Sequence, residues 1–306
     1  MPVGESDKGF GAGKSQTYYT IQTSVAFIDW WHEPVDAETF DHKGILGTYF
    51  IRPGFVHGLT NNLNLSFATT IGMRQMVWQK DNFSIHHRDE TTISNFTNAN
   101  GGILGDSNLL LRYLLKNTNS GQGFKLFVGS GITIPSKSVL TSDPFFLQGE
   151  KHKDHRHFSL SNGTYNAIIE NQIYYRRIRN PVFVGGYIYM ERPISENKFG
   201  FLPSTVTTLS FSASFMNFDQ RMSSIDFGLS TIHTTKSYWN ELPSPNSESI
   251  TIVPSVGYLF NSFLGAVSVN IQKPIILSGA HGGNEGFIDQ RSAIWRLSLS
   301  LRRIKS

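Results

Sequence analysis

The chain contains no cysteine, which excludes disulfides and cysteine-based metal sites and suits an oxidising periplasm as well as the cytosol. It has no run of about eighteen apolar residues, so no transmembrane helix is predicted. It is short of charge, at 16%, without being rich in apolar residues, at 39%. The basic surplus is small, a formal +4 over 306 residues, and Lys and Arg are scattered, so no nucleic-acid partner is expected. Residues Met1–Lys14 carry no apolar h-region, so no secretory signal peptide is visible. For the membrane class argued below, the expectation is a mature form with an added Met, or a misassigned gene start.

What the chain does have is alternation. In Ala293–Arg302, residues Ala293, Trp295, Leu297, Leu299 and Leu301 fall on one face, and Arg296, Ser298, Ser300 and Arg302 on the other. About ten residues of unbroken alternation is the span of a tilted transmembrane strand, against about five or six for an average soluble one. We therefore read this stretch as the closing strand of an outer-membrane β-barrel, with leucines toward lipid. Low charge, modest hydropathy and 13% aromatic residues fit a barrel with an apolar outside, a polar inside and interfacial girdles.

From the start, Met1–Gln16 is Gly- and Ser-rich and reads as a flexible arm, with the barrel proper spanning residues 17–306. Gly9, Gly11, Gly13, Lys14 and Ser15 have the flavour of a phosphate-binding loop, but Lys8 stands where its first Gly is required and a strand follows. That strand, Thr17–Asp29, sets Tyr19, Ile21, Val25 and Phe27 against Thr20, Gln22 and Ser24, and Trp30–Trp31 reads as a girdle pair. Further strands are predicted at Ile45–His57, Asn62–Trp78, Ser107–Lys116, Gly123–Pro135, Phe158–Arg176 and Val182–Arg192. The faces of the last are ambiguous. Thr205–Phe215, Ser224–Thr234, Ser249–Phe260 and Leu264–Ile275 lead to the closing strand. The connections alternate long and short, the long ones including Trp31–Gly44, Lys80–Gly105 and Ser136–His157. Outer-membrane barrels have long extracellular loops, short periplasmic turns and an even strand count, so the fold class is all-β: an antiparallel up-and-down transmembrane β-barrel of about twelve strands.

Several short motifs then come in a familiar order: Gly58-Leu59-Thr60-Asn61-Asn62-Leu63 before a strand, Gly105-Asp106 opening Leu109–Tyr113, Gly131-Ile132-Thr133-Ile134-Pro135 closing a strand, and His157–Thr164. In that order they resemble the outer-membrane transporter family named after proteins of phenol meta-pathway degradation. The resemblance covers the middle third of the chain. It departs at Ser161-Asn162-Gly163, where a Gly-Ser-Gly-like run is more usual, and at Pro135-Ser136, where Thr-Gly often follows the Pro. It implies passage of small organic compounds and brings no catalytic residues.

Lumen-facing charge is the main functional candidate. The alternation turns Arg74, Arg112, Lys116 and Lys125 inward, together with Arg176, Arg296 and Arg302. Against these basic groups stand Glu170 and Asp226, and Asn270 is a polar member of the same lining. Such a lining either steers solutes or pairs across a filled lumen for stability. His152, Asp154, His155 and His157 form a metal-like cluster, but Lys151, Lys153 and Arg156 interleave with it and disfavour a cation, so no metal is expected. His157 with Ser159, Ser161 and Asn162 also suggests a membrane-embedded lipid hydrolase. The expectation is a passive channel in the cell outer membrane for small organic or anionic solutes, with outer-membrane lipid as its surroundings and no cofactor. The rivals are a non-conducting barrel with binding loops and, behind it, the hydrolase.

Overall fold

A computed structural model describes residues 8–32, 42–78, 102–118, 122–144, 159–217, 223–279 and 290–305. Alternating sequences of this kind cannot satisfy their backbone in lipid as open sheets, because an unpaired edge would leave N–H and C=O groups without partners. The chain solves this by closure. Its strands are β1 (Thr17–His32), β2 (His42–Gly58), β3 (Leu63–Trp78), β4 (Leu104–Asn117), β5 (Gly123–Ile134) and β6 (Asn166–Arg176). They continue with β7 (Phe183–Pro193), β8 (Phe201–Leu202), β9 (Val206–Asn217), β10 (Ser223–Thr234), β11 (Tyr238–Trp239) and β12 (Leu242–Pro243). The last are β13 (Ser249–Ser262), β14 (Gly265–Gln272), β15 (Ile275–Gly279) and β16 (Gln290–Lys305).

Neighbours in sequence pair antiparallel around the sheet, and β1 pairs with β16 from Thr17↔Lys305 to His32↔Gln290, closing it. β14 and β15 both pair with β13 and are one strand interrupted at Lys273-Pro274, which makes a closed barrel of twelve strands. Proline has no N–H for the ladder, which is why the single predicted strand Leu264–Ile275 breaks there. Short β8, β11 and β12 form a separate three-stranded sheet in the long connections after β7 and β10.

Burial follows the alternation. In β16, Leu297 is 51% exposed and Ser298 2%. In β6, Asn166, Ile168, Glu170, Gln172 and Tyr174 are buried while the residues between them are exposed. The serines of β9, Ser210, Ser212 and Ser214, point in, and Leu209, Phe211 and Phe215 point out. An apolar outer belt around a polar interior is what lipid on one side and a small lumen on the other require.

Three local expectations are corrected. The sixth strand begins at Asn166 rather than Phe158, because described residues 159–165 are tied into a loop: Gly163 has φ 73°, and its N–H donates to Ser161 Oγ at 2.9 Å. Trp30 of the expected girdle pair turns inward with its indole nitrogen buried, which leaves Trp31 on the outer parity. Lys116 is not inward. A register shift between Leu114 and Lys116 places Lys116 opposite outward Leu126, where its ammonium lies 5.8 Å from the Phe124 ring. An extra residue in one strand flips every side chain beyond it, and alternation alone cannot see it.

Candidate functional site: the barrel lumen

The inward side chains do not leave an open bore, because residues 8–16 run up inside it. At the rim, Ser15 N–H donates to Gly58 O at 2.8 Å and Lys14 N–H to Asn61 Oδ1 at 3.1 Å. Deeper in, Ala12 and Asn64 exchange two bonds, Ala12 N–H to Oδ1 at 3.0 Å and Nδ2 to Ala12 O at 2.8 Å. Gly11 passes so close to the wall that a Cβ there would lie 2.9 Å from Asn64 Oδ1 and 3.2 Å from Phe127. Phe10 lies against Arg302, 4.1 Å from guanidinium carbon to ring centre, and edge-on to Tyr18. Gly9 N–H donates to Gln172 Oε1 at 2.9 Å.

Lys8 ends this described path at a buried charge cluster. Its ammonium donates to Glu170 Oε2 at 2.7 Å, while Arg112 donates from Nε to Oε1 at 2.6 Å and from the guanidinium terminus to Oε2 at 3.1 Å. Gln172 adds a fourth donor at 2.6 Å. Arg112 is 2% exposed and Glu170 1%, so two cations share one desolvated carboxylate. Lys8 also sits over Tyr187 and Tyr189, 4.9 and 5.2 Å from their ring centres, an arrangement that favours a cation over aromatic faces.

Beyond Lys8 lies a cavity of about 260 Å3 that reaches across the lumen, with Arg52 and Arg296 on one side and Tyr189 and Glu191 on another. Glu191 is held by Thr133 Oγ1 at 2.6 Å, Asn166 Nδ2 at 2.8 Å and Tyr189 Oη at 3.1 Å. Arg296 donates to Gln272 Oε1 at 3.4 Å. Arg52 makes no hydrogen bond or ion pair with any described residue.

The other candidates from sequence sit elsewhere. Lys125, on the inward face opposite Tyr174, is close enough to Arg176 and Arg302 to feel their charge, and Arg176 is exposed at the rim end of β6. Arg74 lies higher in β3, 5.7 Å from the Phe50 ring. Asp226 and Asn270 are both fully buried. Asp226 accepts from Ser224 Oγ at 3.1 Å, and Asn270 donates to Ser268 Oγ at 3.0 Å with its amide lying over Gly257. Sequence reasoning brought Arg112 and Glu170 inward, and the structure joins them. It missed Lys8, Arg52, Tyr187, Tyr189 and Glu191. In the structure Arg52 pairs with inward Gln22 and shares its face.

The histidine cluster, His152, Asp154, His155 and His157, lies outside the described residues, as do most of the three long loops. Ser161, weighed as a nucleophile, is buried, its Oγ accepting from Gly163 N–H. Around it the motifs at Gly105-Asp106, Gly131–Pro135 and Ser161–Thr164 converge at the end of the barrel opposite the chain termini, while Gly58–Leu63 lies at the chain-terminal rim. Asp106 accepts from Ser136 N–H at 3.0 Å and bonds Ser161, and a Cβ on Gly105 would lie 2.9 Å from Leu160 O.

No protein-family model matches the chain, and no curated protein matches it. Among solved structures it is similar to an outer membrane channel from Pseudomonas putida F1, at 12% identity and TM-score 0.62, covering 98% of this chain and 99% of that one. A FadL homologue of Pseudomonas aeruginosa follows at 10% identity and TM-score 0.44, with 94% and 90% covered. The toluene transporter TodX of Pseudomonas putida stands at 9% and 0.42, with 95% and 90% covered. The first establishes that this chain has the fold of an outer-membrane barrel; the other two add nothing to that.

Proposed function

We propose that the protein is a passive channel of the cell outer membrane that admits small organic or anionic solutes past the lumenal groups Arg52, Arg112 and Arg296. The carrying observation is the cavity across the lumen, walled by polar and basic side chains inside a closed barrel. Lys8–Gln16 fills part of the bore between that cavity and the chain-terminal rim, so solutes pass beside it and conductance is small. Asn270, Asp226 and Arg74 belong to the same lining, and Lys125, Arg176 and Arg302 form a basic mouth. Low-dielectric walls focus that positive surplus on the axis and enrich anions there. The convergence of Asp106, Ser136 and Ser161 supports a place among the phenol meta-pathway type transporters, since three of the four motifs of that resemblance meet there.

The test is reversal potential across a salt gradient in planar bilayers, for the parent and a Lys125→Ala, Arg296→Ala double variant. Expected are weak anion selectivity in the parent, its loss in the variant, and fading as the Debye length falls to about 3 Å at 1 M salt. Cation selectivity in the parent, or selectivity untouched by both substitutions, refutes the steering role. A parent with no conductance refutes the channel and favours a barrel that binds partners through its loops.

A further inference from the structure

The cavity beyond Lys8 has two unlike parts to its lining. One holds Arg52, whose guanidinium is inside the barrel yet bonded to no described residue, with Arg296 lining the same space. The described acidic groups nearby are already engaged: Glu170 by Arg112 and Lys8, Glu191 by Thr133, Asn166 and Tyr189. A half-buried inward guanidinium with no counter-charge among the described residues is open to pairing with an arriving anion. The other part is aliphatic. Ile232 and Val253 lie on the paired strands β10 and β13, whose other inward positions are mainly Ser, Thr, Asp or Gly, and Val253 is buried; Leu110 lines the cavity from β4 on the opposite wall.

We infer that this cavity is a binding site for a small organic acid, its carboxylate on Arg52 and Arg296 and its apolar body on Ile232 and Val253. This rests on the reading of the lumen as a solute path. Arg is suited to the task, since its planar fork meets a carboxylate with two parallel bonds. An inorganic anion would leave the aliphatic wall facing water, and a hydrocarbon would leave Arg52 without a partner. At about 260 Å3 the space lies at the low end of ligand pockets, which limits the acid to a single ring or a short chain.

The probe is benzoate, with acetate (charge without body) and benzyl alcohol (ring without charge) as controls. Two readouts run in parallel on the full chain: block of chloride current in planar bilayers, and calorimetric binding to detergent-folded protein. Benzoate is expected to saturate in both, with acetate and benzyl alcohol weaker by about tenfold or more. Arg52→Gln should weaken benzoate by about tenfold or more, Arg52→Lys by less, and Val253→Ser should weaken benzoate but not acetate. Arg52 makes no bond to a described residue that its loss would break, and heat-modifiable gel migration checks that each variant is folded. Chloride current with no saturable benzoate effect, or an effect equal in Arg52→Gln, overturns the site and leaves the channel standing. Calorimetric binding that depends on Arg52 without any current upholds the site and overturns the channel. Neither current nor binding overturns both.

Discussion

Replacing Glu170 by Gln tests whether the buried charge cluster holds residues 8–16 in the lumen. The carboxylate receives Arg112 through two bonds, Lys8 through one and Gln172 through one, all between 2.6 and 3.1 Å. A glutamine keeps the shape but points an N–H2 at cations and leaves Arg112 and Lys8 buried without this counter-ion. Removing one partner of a buried pair costs about 3–5 kcal/mol. The barrel has one way to relieve that cost. Arg112 is fixed in the wall, but Lys8 can reach water by leaving the lumen with the residues that follow it. The penalty therefore falls on their docking, and about 3 kcal/mol corresponds to roughly a hundredfold shift toward the released form. The assay uses Ala12→Cys in this cysteine-free chain, at a side chain only 2% exposed. Maleimide labelling of the folded protein should be slow in Ala12→Cys alone and many-fold faster with Glu170→Gln added. Removing the second cation by Lys8→Met in the Glu170→Gln background should couple non-additively with it. If the labelling rate of the Ala12→Cys protein is indifferent to Glu170, the cluster does not hold this segment and the reasoning fails.

Three further outcomes follow from the same structure. With Lys198→Cys, in the connection after β7, the protein should react with an impermeant thiol reagent on intact cells, and with Phe263→Cys, in the short β13–β14 turn, only after lysis; the reverse pattern inverts the topology. Leu299→Arg places a charge on the lipid face and should cost about 2–4 kcal/mol near the bilayer midplane, read by urea titration in liposomes, and no loss would show that this face does not meet lipid. Trp239→Ala removes a side chain 2% exposed and stacked on Phe201 at 4.8 Å, so the small three-stranded sheet should become protease-sensitive while heat-modifiable migration of the barrel is unchanged.

Legibility from sequence tracked how purely each strand alternates. In β16 and β6 the apolar and polar sets are cleanly separated, and burial along both strands follows the same alternation. β7 was opaque because Tyr187 and Tyr189 look like girdle residues, yet they face inward beneath Lys8. Phe127 misleads in the same way: it is apolar but buried inward against Gly11. Both cases share a cause, since a lumen that contains a chain segment offers aromatic side chains a partner that an aqueous lumen would not. Lys116 was misplaced for a different reason, a backbone insertion with no residue signature in Leu114-Leu115-Lys116. The site itself was half visible, because Arg112 and Glu170 alternate inward while nothing local announced that Lys8 would meet them.

That insertion in β4 has a consequence for how deep the barrel sits. It puts an ammonium on the outer wall beside Phe124, whose ring lies tilted against Tyr175 at 4.6 Å between centres near the chain-terminal rim. A lysine there cannot remain among acyl chains. It buries its stem along the ring and extends its head to the phosphate layer, while the flanking aromatics favour the same depth. The bulge thus works as a float line. It fixes the height at which the wall meets the headgroups at that rim, and so the vertical position of everything the lumen holds.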